Sequence, residues 1–530
     1  MVEPLTMKRK IGLVIIILVP IVIYVIYNNA KNSSLVSLKK LVFDNILTSK
    51  SDIEKIKSSQ DVLVKFAENI EKKMKLISFQ ARNNMKNVKE IRTNQETLIN
   101  IVQARNLNID KENANVDKYD LDLNESQLSE MNIEEETIAM NSPTTETDLY
   151  DKWIVVTSIF YPTKDIKSLA AIKGWKLVVV GDTKTPKDWR LDGVIYISVE
   201  DQKKLGYETV NLLKYRAYTR KNIGYLYAIQ HGAKYIYDTD DDNVPNTGKI
   251  DFDMTLKRKY LVYHSNRTFY NVFAHFGQST LWPRGYPLSF IGDLPIRTYR
   301  KCLNTEPYVQ QGVVNGDPDL DAIQRLTRKD SNVKFNIKFD EKQEPVVLPH
   351  KSFTPYNSQN TFHSYNAFWG LLLPQTTAFR VTDIWRSYIT QRLLWDIGGH
   401  LAYYGPNAYQ DRTGHDYLLD YLDESALYND CLTLTNFLLR WKSNNNSVLT
   451  RYFELIKDLY KQKILKIRDV HIAKAWVRDL LSFGYQAPNI TKTKMECSEE
   501  IYHIYPNEQP SSFPRTGLNY VNVNSVDKKP

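Results

Sequence analysis

From Lys152 onward the chain alternates dense apolar runs with longer stretches of helical spacing. The runs "WIVVTSIFYP" (153–162), "WKLVVVGDTKTP" (175–186) and "GVIYIS" (193–198) are rich in β-branched residues, and each closes on turn formers. Residues 201–231 contain no proline and leave room for two helices, after which "KYIYD" (234–238) forms a fourth run. Strands alternating with helices predict an α/β fold with a mainly parallel, covered sheet. Ligands on such sheets bind beyond the C-terminal ends of the strands. "GDTKTP" and the acidic turn "DTDDDN" (238–243) therefore converge on one crevice.

The N-terminal pattern is different. Lys8, Arg9 and Lys10 precede an uncharged run from Ile11 to Tyr27. The run is short for a membrane span and long for a signal-peptide core. The basic flank predicts that this end stays cytosolic. The expectation is a single-pass type II protein with a cytosolic tail over 1–10, a transmembrane signal anchor over 11–27 and a lumenal remainder. A cleaved signal peptide is the alternative. A short span suits the thinner membranes of the endoplasmic reticulum or Golgi. N-x-S/T triplets at Asn32, Asn124, Asn266, Asn445 and Asn489 would then be glycosylation acceptors.

Over 31–106 apolar residues such as Val62, Phe66, Ile70, Met74 and Ile77 recur every three or four positions. This predicts a helical stem, either a coiled-coil homodimer or a single solvated helix. Residues 107–150 turn acidic and polar, as a flexible linker does. A lumenal domain follows over 151–440, then a helical C-terminal extension over 441–530 with a disordered tail.

Composition narrows the class. A chain of 530 residues with 42% hydrophobic and 12% aromatic content can bury a large core, which excludes wholesale disorder. The net charge of +9 is not gathered into an Arg/Lys block, so nucleic acid is not an expected partner. Cys302, Cys431 and Cys497 form no CxxC pair and suggest no zinc site. One disulfide with a free thiol, or three buried thiols, are both open.

The chemistry gathers at the acidic turn. Asp238, Asp240, Asp241 and Asp242 repel one another unless a cation or water intervenes. Carboxylates spaced D-x-D can chelate Mn2+ or Mg2+ and leave positions open for phosphate oxygens. The candidate metal ligands are Asp238, Asp240 and Asp242; a solvated or capping turn is the plainer reading. An EF-hand is excluded, because its sixth position would be Asn243 and its twelfth Lys249. Asp182 is placed to meet a base or ribose, or simply to shape its turn. Arg220 and Lys221 would neutralise a diphosphate or lie on an exposed helix face. A second cluster, "DPDLD" (317–321), supplies Asp317, Asp319 and Asp321 as candidates for a general base or as an alternative metal site, and Asp383 and Asp411 are further candidates for the base. Helix capping accounts for Asp319 and Asp383 equally well. No clean apolar strand leads into this second cluster. Trp369, Trp385, Trp395, Tyr403 and Tyr404 are either core or a platform for sugar rings.

The fragments "KWIVVTSIFYP", "LGYETVNLLKYRAYTRKNIGYLYAIQHGAKYIYDTDDDN", "HFGQSTLWPRGYPL" and "NSQNTFHSYNAFWGLLLPQTTAFRVTDIWRSYITQRLLWDIGG" resemble the STELLO family, from Lys152 to Glu424. These are single-span Golgi proteins with a glycosyltransferase-like lumenal domain. The resemblance implies a glycosyltransferase A-type, Rossmann-like fold whose D-x-D motif, here Asp238 and Asp240, binds manganese or magnesium and a nucleotide sugar. It implies a Golgi glycosyltransferase with a nucleotide-sugar donor and a glycan or protein acceptor. A non-catalytic scaffold that assembles or traffics other Golgi proteins is the alternative.

Overall fold

The structure is a computed structural model that describes residues 117–133, 149–255, 258–292, 298–328, 335–410, 416–491 and 495–504. The expected tail, anchor and stem, together with Asn32, Asp411 and the C-terminal tail beyond 504, lie outside these residues. Among the described residues no helix is long and apolar enough to cross a membrane.

Part of the segment read as a flexible linker is built into the fold. Helix α1 (Glu125–Glu130) starts at an Asn124–Gln127 capping box and buries Leu128. Asp120 just before it binds the buried Arg468 at 2.6 Å, and Lys457 Nζ donates to the Met131 carbonyl at 3.0 Å. Acidic composition hid the residues that pack against the core, Leu128 and Met131 among them, and the ion pairs of Asp120 with Lys214 and Arg468.

Strand β1 (Lys152–Thr157) leads over α2 (Lys164–Ala170) to β2 (Lys176–Val180), and β3 (Ile195–Ile197) adds beyond it. Helices α3 (Val199–Lys204) and α4 (Lys221–Gln230) carry the chain back to β4 (Tyr235–Thr239), on the other side of β1. All three pairings, β1–β2, β2–β3 and β1–β4, are parallel. The spatial order β3-β2-β1-β4 reverses direction at β1, so a topological switch point lies between β1 and β4.

Beyond β4 the sheet becomes mixed. β5 (Asn243–Pro245) pairs off the path with β11 (Leu401–Gln410). β10 (Asn360–Ser364) runs antiparallel to both β4 and β8 (Val309–Gly316), whereas β8 and β11 are parallel. β9 (Val346–Val347), β6 (Tyr260–Tyr263) and β7 (Thr298–Leu303) complete that end. β12 (Glu496–Cys497) and β13 (Tyr502–His503) pair with β7, and a Cys302–Cys497 disulfide fastens them while Cys431 stays a buried thiol. The parallel arrangement predicted from the alternating runs therefore holds for β1–β4, and the remainder is mixed.

β8 corrects one expectation, because it runs straight into Asp317. Gln310, Gln311 and Asn315 interrupt its apolar pattern. The two glutamines are buried nonetheless, with Gln310 Nε2 bonded to the Asp253 carbonyl at 2.7 Å and Gln311 Nε2 to that of Asn360 at 3.0 Å.

Alternate residues of β1 serve opposite faces. Trp153 and Val155 join the core beneath α4 and four further helices: α7 (Thr382–Leu394), α10 (Cys431–Arg440), α11 (Val448–Lys461) and α12 (Ile467–Ser482). Ile154 and Val156 meet α2 on the other side. The intervening helices are α5 (Val272–His275), α6 (Ala322–Arg328), α8 (Tyr417–Asp423) and α9 (Ser425–Asn429). A Cβ at Gly224 would lie 2.6 Å from Val155 Cγ1 and 2.9 Å from Val180 Cγ2. That glycine lets α4 lie close on β1 and β2, which brings Lys221 to the end of β4. Trp369, Trp385, Tyr403 and Tyr404 are core residues, not platform, and Trp395 packs against that core.

Candidate functional site

A cleft of about 340 Å³ opens at the C-terminal ends of β1, β2 and β4. Its wall carries Asp182 at one side and Asp240, Asp241 and Asp242 at the other. The two loops predicted to converge do so at the switch point. Ser158 follows β1 and ties the strands together by donating from Oγ to Asp241 Oδ2 at 2.6 Å. Thr185 Oγ1 donates to the Ser158 carbonyl at 2.8 Å, which locks the loop after β2 onto the same end.

The four aspartates separate into different roles. Asp238, still within β4, is fully buried. Lys221 Nζ meets its Oδ1 at 2.7 Å and Arg386 Nη1 its Oδ2 at 3.0 Å. Burial alone would raise the Asp238 pKa, but Lys221 and Arg386 more than offset it and hold the carboxyl below its usual range. Both oxygens thus face cations inside the protein. In this geometry Asp238 anchors the strand end, with its two oxygens turned to Lys221 and Arg386. The signal was absent from the sequence because Arg386 lies 148 positions away on α7.

Asp240 is the carboxylate that addresses the cleft, with 44% of its side-chain surface open. Its place at the cleft floor pushes its pKa up to about 7. Lys221 acts against that rise, and the carboxylates of Asp242, Asp238 and Asp241 add to it. Asp241 is likewise raised, first by burial, although the Ser158 bond opposes this. Asp242 accepts from Gln410 Nε2 at 3.0 Å and from Asn243 Nδ2 at 2.9 Å. Asp240, Asp241 and Asp242 all line the cleft, though among the described residues no group of three or more such side chains is gathered as a metal site.

Lys221 and Arg220 are not on an exposed face. Lys221 Nζ lies on the Thr239 carbonyl at 2.6 Å, the Ser358 carbonyl at 3.2 Å and Asp240 Oδ1 at 3.3 Å, besides Asp238. Burial disfavours its charge, but Asp238 and Asp240 outweigh it and raise its pKa. Arg220 is buried, bonded through Nε to Gln202 Oε1 at 2.9 Å and through Nη1 to the Leu213 carbonyl at 3.2 Å. Its guanidinium also covers the Tyr215 ring at 4.5 Å. Lys221 supports the wall from behind with its donors engaged, and Arg220 reaches the cleft lining while bonded to Gln202 and Leu213. Lys184 and Arg216 are the basic residues that stand nearer the open face. Asp182 accepts from the Thr183 amide at 2.6 Å and the Ala217 amide at 3.1 Å, so it shapes two loops while lining the cleft.

Of the candidate bases, Asp319, Asp321 and Asp383 fare differently. Arg284 gathers Asp319 and Asp383: Nε to Asp319 Oδ1 at 2.8 Å, Nη2 to Asp319 Oδ2 at 2.8 Å and Nη2 to Asp383 Oδ2 at 2.8 Å. Asn357 Nδ2 adds a bond to Asp319 Oδ2 at 2.9 Å. Asp319 and Asp383 reach the cleft wall, but with most of their lone pairs engaged. Asp321 is away from the cleft. It caps α6, accepting from the Gln324 amide at 2.8 Å, and bonds the Trp282 indole. Burial pushes its pKa up to about 6, with the capping amide and the indole opposing. Asp321 is thus a helix cap and not a base, and the capping expected of Asp319 belongs to it. Arg284, Arg386, Ser158 and Gln410 complete the site, and no local spacing in the sequence singles them out.

The family model for STELLO glycosyltransferases matches residues 380–512, which include Asp383, Arg386 and α10–α12. "Probable glycosyltransferase STELLO1" of Arabidopsis thaliana is 37% identical over 358 residues, 65% of this chain and 46% of the relative. "Probable glycosyltransferase STELLO2" of the same plant is 38% identical over 362 residues, again 65% of this chain and 46% of the relative. The chain spans about half the length of the curated relatives it matches. On these likenesses the chain is similar to the STELLO glycosyltransferases over 65% of its length.

Proposed function

We propose that this chain is a metal-dependent glycosyltransferase of the Golgi lumen that takes a nucleoside-diphosphate sugar as donor and a glycan or protein hydroxyl as acceptor. The observation that carries the reading is Asp240, an open carboxylate beside Asp242 at the switch point of the sheet. The donor set suits Mn2+ or Mg2+: hard oxygen ligands, few of them, crowded enough to favour a cation. Asp240 and Asp242 would hold the ion, and Gln410 keeps Asp242 in place. The bound ion would supply neutralisation of the leaving diphosphate. Asp182 lines the nucleoside end, with Lys184 and Arg216 toward solvent. Buried Lys221 fixes the Asp238–Asp240 turn from behind. The names of the relatives support the activity, and the Cys302–Cys497 disulfide supports an oxidising compartment.

One observation favours a second reading, a non-catalytic scaffold that assembles or escorts other proteins. The carboxylates Asp319 and Asp383 are committed to Arg284, so no unengaged base faces Asp240 among Asp319, Asp321 and Asp383. Calorimetric titration of the full chain in detergent with UDP- and GDP-sugars, with and without Mn2+, separates the two. Donor binding that requires Mn2+, followed by nucleotide release on adding acceptors, is expected. Absence of metal-dependent nucleotide binding would sink the enzymatic reading.

A further inference from the structure

The cleft has a side that the acidic turn does not explain. Phe379 stands on its rim with 60% of its surface exposed, in the loop that leads into α7. The ring makes an edge contact with Tyr218, centroids 4.9 Å apart at 68°, and most of its surface stays exposed. An aromatic ring exposed at the rim of a polar cleft offers apolar surface that a ligand can cover.

What lies beside Phe379 narrows the ligand. Arg380 and Asp383 follow it in the chain, and both line the same wall with Arg284, Asp319 and Asn357. Arg284 sets the two carboxylates: Asp319 through Nε at 2.8 Å and Asp383 through Nη1 at 3.1 Å and Nη2 at 2.8 Å. Arg380 is held in turn by Glu424 Oε1, at 2.9 Å from Nε and 2.7 Å from Nη2. The carboxylates and carboxamide are therefore prearranged, and planar groups of this kind bond vicinal hydroxyls. Tyr218 lines the same cleft, and burial above all keeps its hydroxyl protonated.

We propose that Phe379 is the stacking platform of a pyranoside subsite, with the Asp319–Arg284–Asp383 cluster beside it bonding the sugar's hydroxyls. This rests on the glycosyltransferase reading and names its acceptor class as a carbohydrate, not a peptide hydroxyl. The apolar face of the ring sugar covers Phe379, and its polar edge turns to the carboxylates. Engagement by Arg284 is then no obstacle, since these carboxylates orient the acceptor and need not take its proton.

The test uses the full chain in detergent with maltotetraose, cellotetraose, mannotetraose and chitotetraose as probes. Saturation-transfer NMR reads which sugar protons touch aromatic groups, and calorimetry reads affinity. At least one probe is expected to bind through the C–H protons of one pyranose face. Phe379→Ala should weaken that probe at least tenfold, and Phe379→Trp should retain it and report binding by its fluorescence. UDP- and GDP-sugar affinity with Mn2+ is measured on the same samples and should change less than twofold. Binding unaltered in Phe379→Ala, or no probe binding while the nucleotide does, overturns the subsite. Loss of nucleotide affinity in Phe379→Ala would assign the ring to the nucleobase and also overturn it. Failure of nucleotide binding in the unsubstituted chain is instead the failure of the donor reading, and is seen separately.

Discussion

Lys221 Nζ and Asp238 Oδ1 lie 2.7 Å apart with neither side chain open to solvent. Lys221 comes from the first turn of α4 and Asp238 from the penultimate position of β4, so the pair fastens helix to strand directly under the acidic turn. Buried pairs of this kind contribute little net stability when intact, but breaking one strands a charge.

Lys221→Met should therefore cost about 3–5 kcal/mol of unfolding free energy. Arg386 would still hold Asp238 Oδ2, which sets the lower part of that range. Urea denaturation of the variant beside the parent measures it. A cost under about 1 kcal/mol would mean that Lys221 does not neutralise Asp238.

How much of the fold and site is legible in the sequence depends on the type of signal. β1, β2 and β4 announce themselves because dense apolar runs need no partner to be recognised: "WIVV", "LVVV" and "YIY" are largely buried on both faces. Their order around a switch point then places Asp182 and Asp240 in one cleft. At Asp238 the D-x-D spacing says nothing about Arg386, which reaches the carboxylate through tertiary packing alone. β8 escapes notice because burial there is achieved by hydrogen-bonded glutamines, a pattern that resembles an exposed segment. Phe379 is silent as well, for exposure of a single aromatic residue has no sequence signature.

Arg284 holds Asp319 and Asp383 together, and its removal would leave two buried carboxylates facing each other. Arg284→Ala is expected to lower stability by about 3–5 kcal/mol. Arg284→Lys should recover only part of this, because one ammonium cannot reproduce the forked guanidinium that reaches both acids. Thermal unfolding of both variants checks the order. Equal stability of the lysine variant and the parent would show that the fork is dispensable.

Asp321 gives a pH-dependent expectation. Burial pushes its pKa in the folded protein up to about 6, above the ordinary value of 3.8. The folded state therefore binds a proton more tightly than the unfolded one. The associated stability is fully present below about pH 4 and is lost as pH rises through about 6. Asp321→Asn cannot ionise and does not suffer this loss. The stability of the variant relative to the parent should rise between about pH 4.5 and 7.5, by about 2 kcal/mol. Denaturation at the two pH values measures the difference, and a difference independent of pH would refute the assignment. Nucleotide binding should be unaffected, as Asp321 bonds Trp282 and Gln324 away from the cleft.

The Cys302–Cys497 bond closes a loop of 195 positions and holds β12 against β7. A closed loop of that length restricts the unfolded chain, and loss of a native disulfide typically costs about 2–5 kcal/mol. Cys302→Ser with Cys497→Ser should lower the melting temperature and expose 495–504 to proteases, since the short β12 and β13 pairings and the noncovalent contacts of Ser498, Tyr502 and Ile504 would be left to hold it. Limited proteolysis with mass spectrometry locates the first cut. Cleavage elsewhere first, with 495–504 retained, would show that the pairings and noncovalent contacts alone secure this segment.

Asp238 and Asp240, two residues apart, should respond in opposite ways to the same substitution. Asp238→Asn removes the charge shared by Lys221 and Arg386 and leaves both cations buried, at a cost of about 3–5 kcal/mol. Asp240→Asn relieves repulsion among Asp240, Asp241 and Asp242 and leaves the Asp238 pairs intact, so the unfolding midpoint should hold or rise. Mn2+ affinity, titrated by calorimetry with UDP present, should fall at least tenfold in Asp240→Asn, because the carboxylate that faces the cleft is gone. In Asp238→Asn the affinity should stay within a few-fold of the parent at temperatures where the variant is folded. The pattern follows from position along the chain: Asp238 still belongs to the buried strand, and Asp240 is the first residue beyond it. Loss of Mn2+ binding in a fully stable Asp238→Asn would reverse the two roles and return the metal to the strand.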